Sequence, residues 1–225
     1  TWHVSAYPAA LAKAVYPEPM TPSRLAMQTL TRADYEQWLA EHTLVEKDRR
    51  GPKVLRCANG DYIKIFRIKH RISSARLFNP ARRFCHNAVR IAALGIPVLR
   101  PKALYRIPHV DRWAVRYTPL EGDTVRGLIR HYALPEPAIA RLGEFIAGLH
   151  EKGIYFRSLH PGNIVLTPDG KLGLIDVLDC RFSWFGRPLS ASQRQRNFSH
   201  FFRYEDAKLL REPLLAAYNR VPQSA

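Results

Sequence analysis

The chain has 225 residues, 46% of them hydrophobic, with a formal charge of +16 and three cysteines. That is enough apolar material for one sizeable domain or two small lobes around a cleft, while Cys57, Cys85 and Cys180, odd in number and without CxxC spacing, argue against a disulfide framework or a zinc site. No apolar run approaches the roughly 18 residues of a membrane span, and the N-terminus lacks a signal peptide's charged start and apolar core; the expected setting is a reducing cytoplasm, at most peripheral on the inner membrane. The charge is uneven. Residues 62–110 contain no Asp or Glu, while Lys64, Arg67, Lys69, Arg71, Arg76, Arg82, Arg83, Arg90, Arg100, Lys102 and Arg106 are all basic. Such a field draws an anionic partner: a nucleotide, nucleic acid, an acidic membrane surface or a phosphorylated glycan. No interleaving of these cations with stacking aromatics points to nucleic acid.

Residues 1–26 hold four prolines and no sustained period, and read as an irregular leader. Thr31-Arg-Ala-Asp34 resembles a capping box opening a short helix with Tyr35, Trp38 and Leu39 on one face. Residues 43–48, 53–57 and 61–66 read as strands, with turns at Arg50-Gly51-Pro52 and Asn59-Gly60. A long helix is expected over 78–94, striped by Phe84, Ala88, Ile91 and Leu94, and closed by Gly95 before Pro97. Strands near 102–106 and 112–119 follow, then a linker with a helix cap at 120–124. A second long helix spans 136–152, with Ile139, Leu142, Phe145, Ile146 and Leu149 facing a core. Residues 181–197 read as a polar loop, and two helices, 198–211 and 213–219, finish the chain.

The most informative stretch lies between them, over residues 154–177. It reads as a loop, a strand at 163–166, a turn at Thr167-Pro168-Asp169-Gly170 and a second strand at 171–177. Closing that hairpin brings Asn163 and Asp176 together at its mouth. An amide oxygen and a carboxylate converging there suit a hard cation such as Mg²⁺ with a bound phosphate.

Residues 156–163 also fall on the protein-kinase catalytic-loop pattern His-Arg-Asp-x-x-x-x-Asn, and Asp176 on the metal-binding Asp of Asp-Phe-Gly. Tyr62-Ile-Lys64-Ile-Phe66, Ala93-Leu-Gly-Ile-Pro97, Leu120-Glu-Gly122, Leu159-His-Pro-Gly-Asn163 and Leu174-Ile-Asp176, in that order, resemble the bacterial lipopolysaccharide kinase family. That family includes kinases of core heptose and of the Kdo sugar and toluene-tolerance-type relatives. The resemblance covers roughly residues 40–205. It implies an α+β, two-lobed protein-kinase-like fold: a small antiparallel strand-rich N-lobe with one long helix at 27–119, and a mainly helical C-lobe at 120–225. It implies ATP and Mg²⁺ as cofactors. Lys64 would contact phosphates and Glu121 would join it in the nucleotide site, Asn163 and Asp176 would hold the metal, and Arg157, Ser158 and His160 would form the catalytic loop. For His160 a structural hydrogen bond is the favoured reading, and for Asp179 a plain loop carboxylate is favoured over a second metal ligand or a base.

The departures are specific. Phe156 stands where the pattern has His, and Ser158 where it has the catalytic Asp. The first long helix carries no acidic residue, so the lysine–glutamate pair of active kinases has no local candidate; Asn87 is a rough positional match. The phosphate-covering loop is reduced to residues 48–53 with one glycine, where Arg49, Arg50 and Lys53 would supply charge instead of backbone amides. The expected function is an ATP- and Mg²⁺-dependent kinase acting on a lipopolysaccharide core sugar or related envelope glycan, with a pseudokinase scaffold of envelope biogenesis as the alternative. The Arg181, Phe182, Trp184, Phe185 and Arg187 segment is a candidate dock for the anionic partner.

Overall fold

The computed structural model describes residues 25–67, 79–132 and 134–222. Most of the expected leader, and Lys69, Arg71 and Arg76 of the basic stretch, lie outside the described residues.

The chain is a mixed α+β structure. β1 (Met27–Thr29) and α1 (Arg32–Glu41) open it. α1 starts where its capping box puts it: Thr31 Oγ1 accepts the Asp34 N–H at 3.1 Å, and Asp34 Oδ2 accepts the Thr31 N–H at 3.0 Å. β2 (Thr43–Asp48), β3 (Gly51–Arg56) and β4 (Tyr62–Arg67) follow as antiparallel neighbours. α2 (Pro80–Ala93) begins with Asn79 Oδ1 accepting the Ala81 and Arg82 N–H groups, and ends at Gly95 with φ +76°. β5 (Arg100–Ile107) and β6 (Arg112–Thr118) complete a six-stranded sheet of order β1-β5-β6-β4-β3-β2. Only β1, which the sequence did not signal, joins parallel, along β5.

The period-2 alternation of β4 decides which side chains meet which layer. Ile63 and Ile65 pack with α1 residue Tyr35 and with Leu55, Tyr105, Ile107 and Ala114 on one face. Lys64 and Phe66 therefore face the other side, where α2 lies. Phe84 of α2 packs at 5.3 Å from the Phe66 ring and 5.8 Å from Tyr117.

The second half is mostly helical. β7 (Asp123–Thr124) leads into α3 (Val125–His131), capped by Thr124, and α4 (Glu136–Glu151) follows. β8 (Ile154–Phe156) pairs with β11 (Cys180–Phe182), and the hairpin β9 (Ile164–Leu166)–β10 (Leu172–Leu174) sits between them in sequence. α5 (Ala191–Phe201), the single turn α6 (Glu205–Lys208) and α7 (Arg211–Arg220) close the chain. α4 and α7 approach closely because Gly143 has no side chain: a Cβ there would stand 2.4 Å from Leu214 O.

Five expectations are corrected. The 120–124 linker contributes a strand, since Asp123 and Thr124 pair with Leu166 and Val165. The start of the signature stretch is strand β8, not loop, and β10 ends at Leu174 because Asp176 turns left-handed. Residues 181–197 are not one polar loop: α5 begins at Ala191, with Ser190 and Gln193 closing a second capping box. A helix over 198–211 is interrupted after Phe201, and α6 is a separate turn. The polar, arginine-rich surface of α5 hid its period, since its apolar face is only Phe198, Phe201 and Phe202 with buried Arg194 and Asn197. Among the described residues, no helix is long and apolar enough to cross a membrane.

Candidate functional site

Lys64 leaves the middle of β4 toward the α2 layer, its ammonium 5.7 Å from the centre of the Phe84 ring. There it meets Asp176, 112 residues away in sequence, with Nζ donating to Oδ1 at 2.6 Å. The lysine side chain is 20% exposed and the aspartate 48%, so the pair lies at the rim of the sheet–helix junction, open on the carboxylate's side.

Three contacts fix Asp176. β10 is anchored by the Leu174 N–H donating to Pro97 O at 2.9 Å, an approach that Gly173 permits, because a Cβ there would lie 2.5 Å from the same oxygen. The hairpin mouth is closed by the Ile175 N–H donating to Asn163 O at 3.0 Å. Beyond it, Asp176 takes φ 53°, ψ 46°, a left-handed conformation that Asp tolerates better than most residues but that needs support from its surroundings. Asn87 of α2 gives that support. It is 4% exposed, and its Nδ2 donates to Val177 O at 2.8 Å and Cys180 O at 3.1 Å, with Leu178 O at 3.3 Å. The helix position without a carboxylate thus grips the turn after Asp176, and Lys64 takes its negative partner from the hairpin.

The loop from Arg157 to Asn163 runs past the same mouth. Phe156 is a fully buried core residue. Ser158 is half-buried, and its carbonyl accepts the Asn163 Nδ2 at 3.0 Å. That bond orients the buried Asn163 amide and leaves Oδ1 as the atom available to a cation. His160 caps the turn at Pro161–Asn163, its Nδ1 accepting the Gly162 N–H at 3.0 Å. Its ring lies 6.2 Å from His200 and 5.0 Å from Tyr204. Burial first, then the charges of Arg126 and His200, push its pKa down to about 4. His160 is therefore neutral near pH 7 with its proton on Nε2, and the structure gives it a positioning bond. Arg157 is exposed and is tied to Asp179 only by its backbone N–H, 3.4 Å from Asp179 O. Glu121 is exposed beside Gly122, whose backbone lies against Leu166 at the closed end of the hairpin. That end is about 10 Å from the mouth at 3.3 Å per residue, so Glu121 is not brought to Lys64 or Asp176.

Asn163 and Asp176 offer an all-oxygen donor set at the mouth, which fits a small hard cation that takes its remaining ligands from phosphate and water. Among the described residues no group of three or more His, Cys, Asp or Glu side chains could hold a metal by itself. The β2–β3 turn beside Gly51 has local partners for its charges: Lys53 pairs with Glu46 at 2.5 Å, and Arg67 with Asp48.

Three polar clusters near the site escaped the sequence reading. Asp61, 2% exposed, accepts from Lys102 Nζ at 2.7 Å and Arg116 Nε at 2.9 Å, a pairing that ties the start of β4 to β5 and β6. Burial pushes its carboxyl up, and the bonds from Lys102, Asn59 and Arg116 more than offset that, leaving it below the usual carboxylate range. Arg126 of α3 donates to Asp206 at 2.8 Å and lies over the Tyr204 ring, walling the far side of Gly162. His150, fully buried on α4, bridges Tyr218 and Asn197, and Asn197 Nδ2 donates to Phe156 O at 2.9 Å, holding β8 just before Ser158. The one available signal was that His150 and Asn197 sit on otherwise apolar helix faces. No model of a known protein family matches the chain, and no characterised protein does either.

Proposed function

We propose that the chain is a kinase-like phosphotransferase of two lobes, 27–119 and 120–225, that binds ATP with Mg²⁺ at Lys64, Asn163 and Asp176. Its acceptor would be a lipopolysaccharide core sugar or a related envelope glycan, an anion suited to a chain of charge +16. The observation that carries the reading is the 2.6 Å contact between a mid-strand lysine and a hairpin-mouth aspartate, with Asn163 in the turn that leads into the adjoining strand. The antiparallel run β2-β3-β4-β6-β5 with α2 against one face supports the two-lobed assignment.

Bound ATP would supply the phosphoryl group, with Mg²⁺ neutralising charge on its phosphates. The protein's part is positioning. Lys64 presents a cation from a rigid strand, Asp176 presents a half-exposed carboxylate held by Asn87 and Pro97, and the Ser158 carbonyl turns Asn163 Oδ1 toward the mouth. A serine hydroxyl is not ionised near pH 7 and accepts a proton poorly, so Ser158 provides no general base. Such a base contributes about 10²- to 10⁴-fold, and phosphoryl transfer depends mainly on positioning and electrostatics, so turnover is slowed rather than abolished.

A second reading, a nucleotide-binding scaffold without transfer, is favoured by Ser158 together with an Asn87 amide committed to backbone carbonyls. Thermal denaturation with ATP, with and without Mg²⁺, tests what both readings share. Ligand at about 100 times its Kd adds about 2.7 kcal/mol, a rise of a few degrees. Absence of any Mg²⁺-dependent rise at saturation would sink both. Ser158→Asp then separates them: a marked gain of transfer points to an enzyme that lacks its base, and none points to the scaffold.

A further inference from the structure

We infer that the turn carrying Trp184 and Phe185 is a docking tip that inserts into the interface of a bilayer bearing anionic lipid. This rests on no part of the nucleotide reading.

The two rings are 80% and 88% exposed, adjacent and 6.2 Å apart, and form one apolar projection. The backbone holds them outward. Phe185 has φ 55°, a left-handed conformation unfavourable for a bulky side chain, and Gly186 follows at φ 67°. The turn is pinned at its base by the Ser183 N–H donating to Gly153 O at 2.8 Å, by Ser183 Oγ on Arg187 O, and by the Arg187 N–H on Trp184 O at 3.3 Å. Gly153 leaves no room for slippage, because a Cβ there would collide with Ser183.

Charge complementarity identifies the occupant. Residues 180–204 contain no carboxylate and, besides Arg194, which is buried against Glu151, four exposed arginines. Arg181 and Arg187, both exposed, flank the tip, and exposed Lys152 precedes Gly153 at its base. Tryptophan favours the membrane–water interface, and basic side chains beside it are drawn to an anionic leaflet. A second copy of this chain is a poor fit, because it would bring arginine against arginine on molecules of charge +16. The β8–β11 ladder then acquires a further use. Its Phe182↔Ile154 end carries the tip and its Cys180↔Phe156 end leads into Ser158 and Asp179, so the tip is tied to the body of the helical half through a paired strand.

Flotation of the full chain with phosphatidylcholine vesicles, and with equimolar phosphatidylcholine and phosphatidylglycerol, tests this. The parent should float with the anionic vesicles and much less with the neutral ones, with salt weakening binding. Trp184→Ser with Phe185→Asn, which keeps a residue tolerant of positive φ, should reduce partitioning by about tenfold for each aromatic removed. An unchanged melting temperature and unchanged Mg²⁺–ATP shift in that variant would show the loss to be local. Undiminished flotation of the variant overturns the inference, as does equal binding to neutral vesicles or no binding by the parent. Self-association of the parent that the double variant abolishes, without vesicle binding, would assign the tip to a second copy instead.

Discussion

Around His150 the polar groups are enclosed and mutually satisfied: both ring nitrogens, the Tyr218 hydroxyl, the Asn197 amide and the Arg194–Glu151 pair interlock in the helical half. At the hairpin mouth, by contrast, Asp176 is half exposed, sits in a left-handed backbone, and has one lysine for a partner while its surroundings brace it from behind. The first arrangement uses polar atoms to fix helices and strand in one register. The second holds a carboxylate in a conformation that stability does not require, with capacity left for a ligand. Strain and exposure at Asp176, against closure at His150, is what distinguishes the candidate site from a strut.

Breaking the strut should have the largest effect. His150→Ala leaves a cavity and strands the Tyr218 hydroxyl and Asn197 amide; denaturant unfolding should show a loss of about 3 kcal/mol. A loss under about 1 kcal/mol would mean the network is redundant. Acid should weaken the same region. Burial, the largest cause, lowers His150 to about 4, so folding holds it neutral while the unfolded chain is protonated below about 6.5. The unfolded state then binds the extra proton, and stability falls as pH drops from about 6.5 toward 4, by about 2 kcal/mol at pH 5. His160, lowered for the same first reason, adds in the same direction. Unfolding free energies at pH 7 and 5 check this, and His150→Gln should remove much of the slope; a slope unchanged in that variant would place its origin elsewhere.

The smallest stability effect is expected at the site itself. Asp176→Asn removes a half-exposed ion pair, worth at most about 1 kcal/mol, and keeps a residue that tolerates the left-handed backbone. It should nonetheless eliminate the Mg²⁺-dependent part of any ATP-induced stabilisation, measured by the same thermal shift. If unfolding were affected as strongly as by His150→Ala, Asp176 would be a second strut, and the contrast between the two clusters would fail.

Local signals in the sequence carried a good part of the architecture. Thr31 with Asp34, Gly95 before Pro97, and Thr167-Pro168-Asp169-Gly170 each act through hydrogen bonds or backbone freedom within a few residues, and each appears where its chemistry placed it. The closeness of the segments just before β9 and just after β10, which hold Asn163 and Asp176, was legible for the same reason, since closing a short hairpin brings its two ends together. What the sequence left undecided depended on contacts between distant segments. Lys64 finding Asp176 rather than a helix glutamate, Asn87 spending its amide on three carbonyls, and β1 joining β5 all follow from how α2, the sheet and the hairpin pack. α5 was hidden because its buried face is partly polar, and Arg194 and Asn197 belong inside only once His150, Tyr218 and Glu151 are there to meet them. The sequence determined where turns and caps must fall, because those forces act over one or two turns of chain. Which polar side chains would be braces, and which would stay open to a ligand, was decided only when the layers closed, because burial and partner are properties of the packed whole.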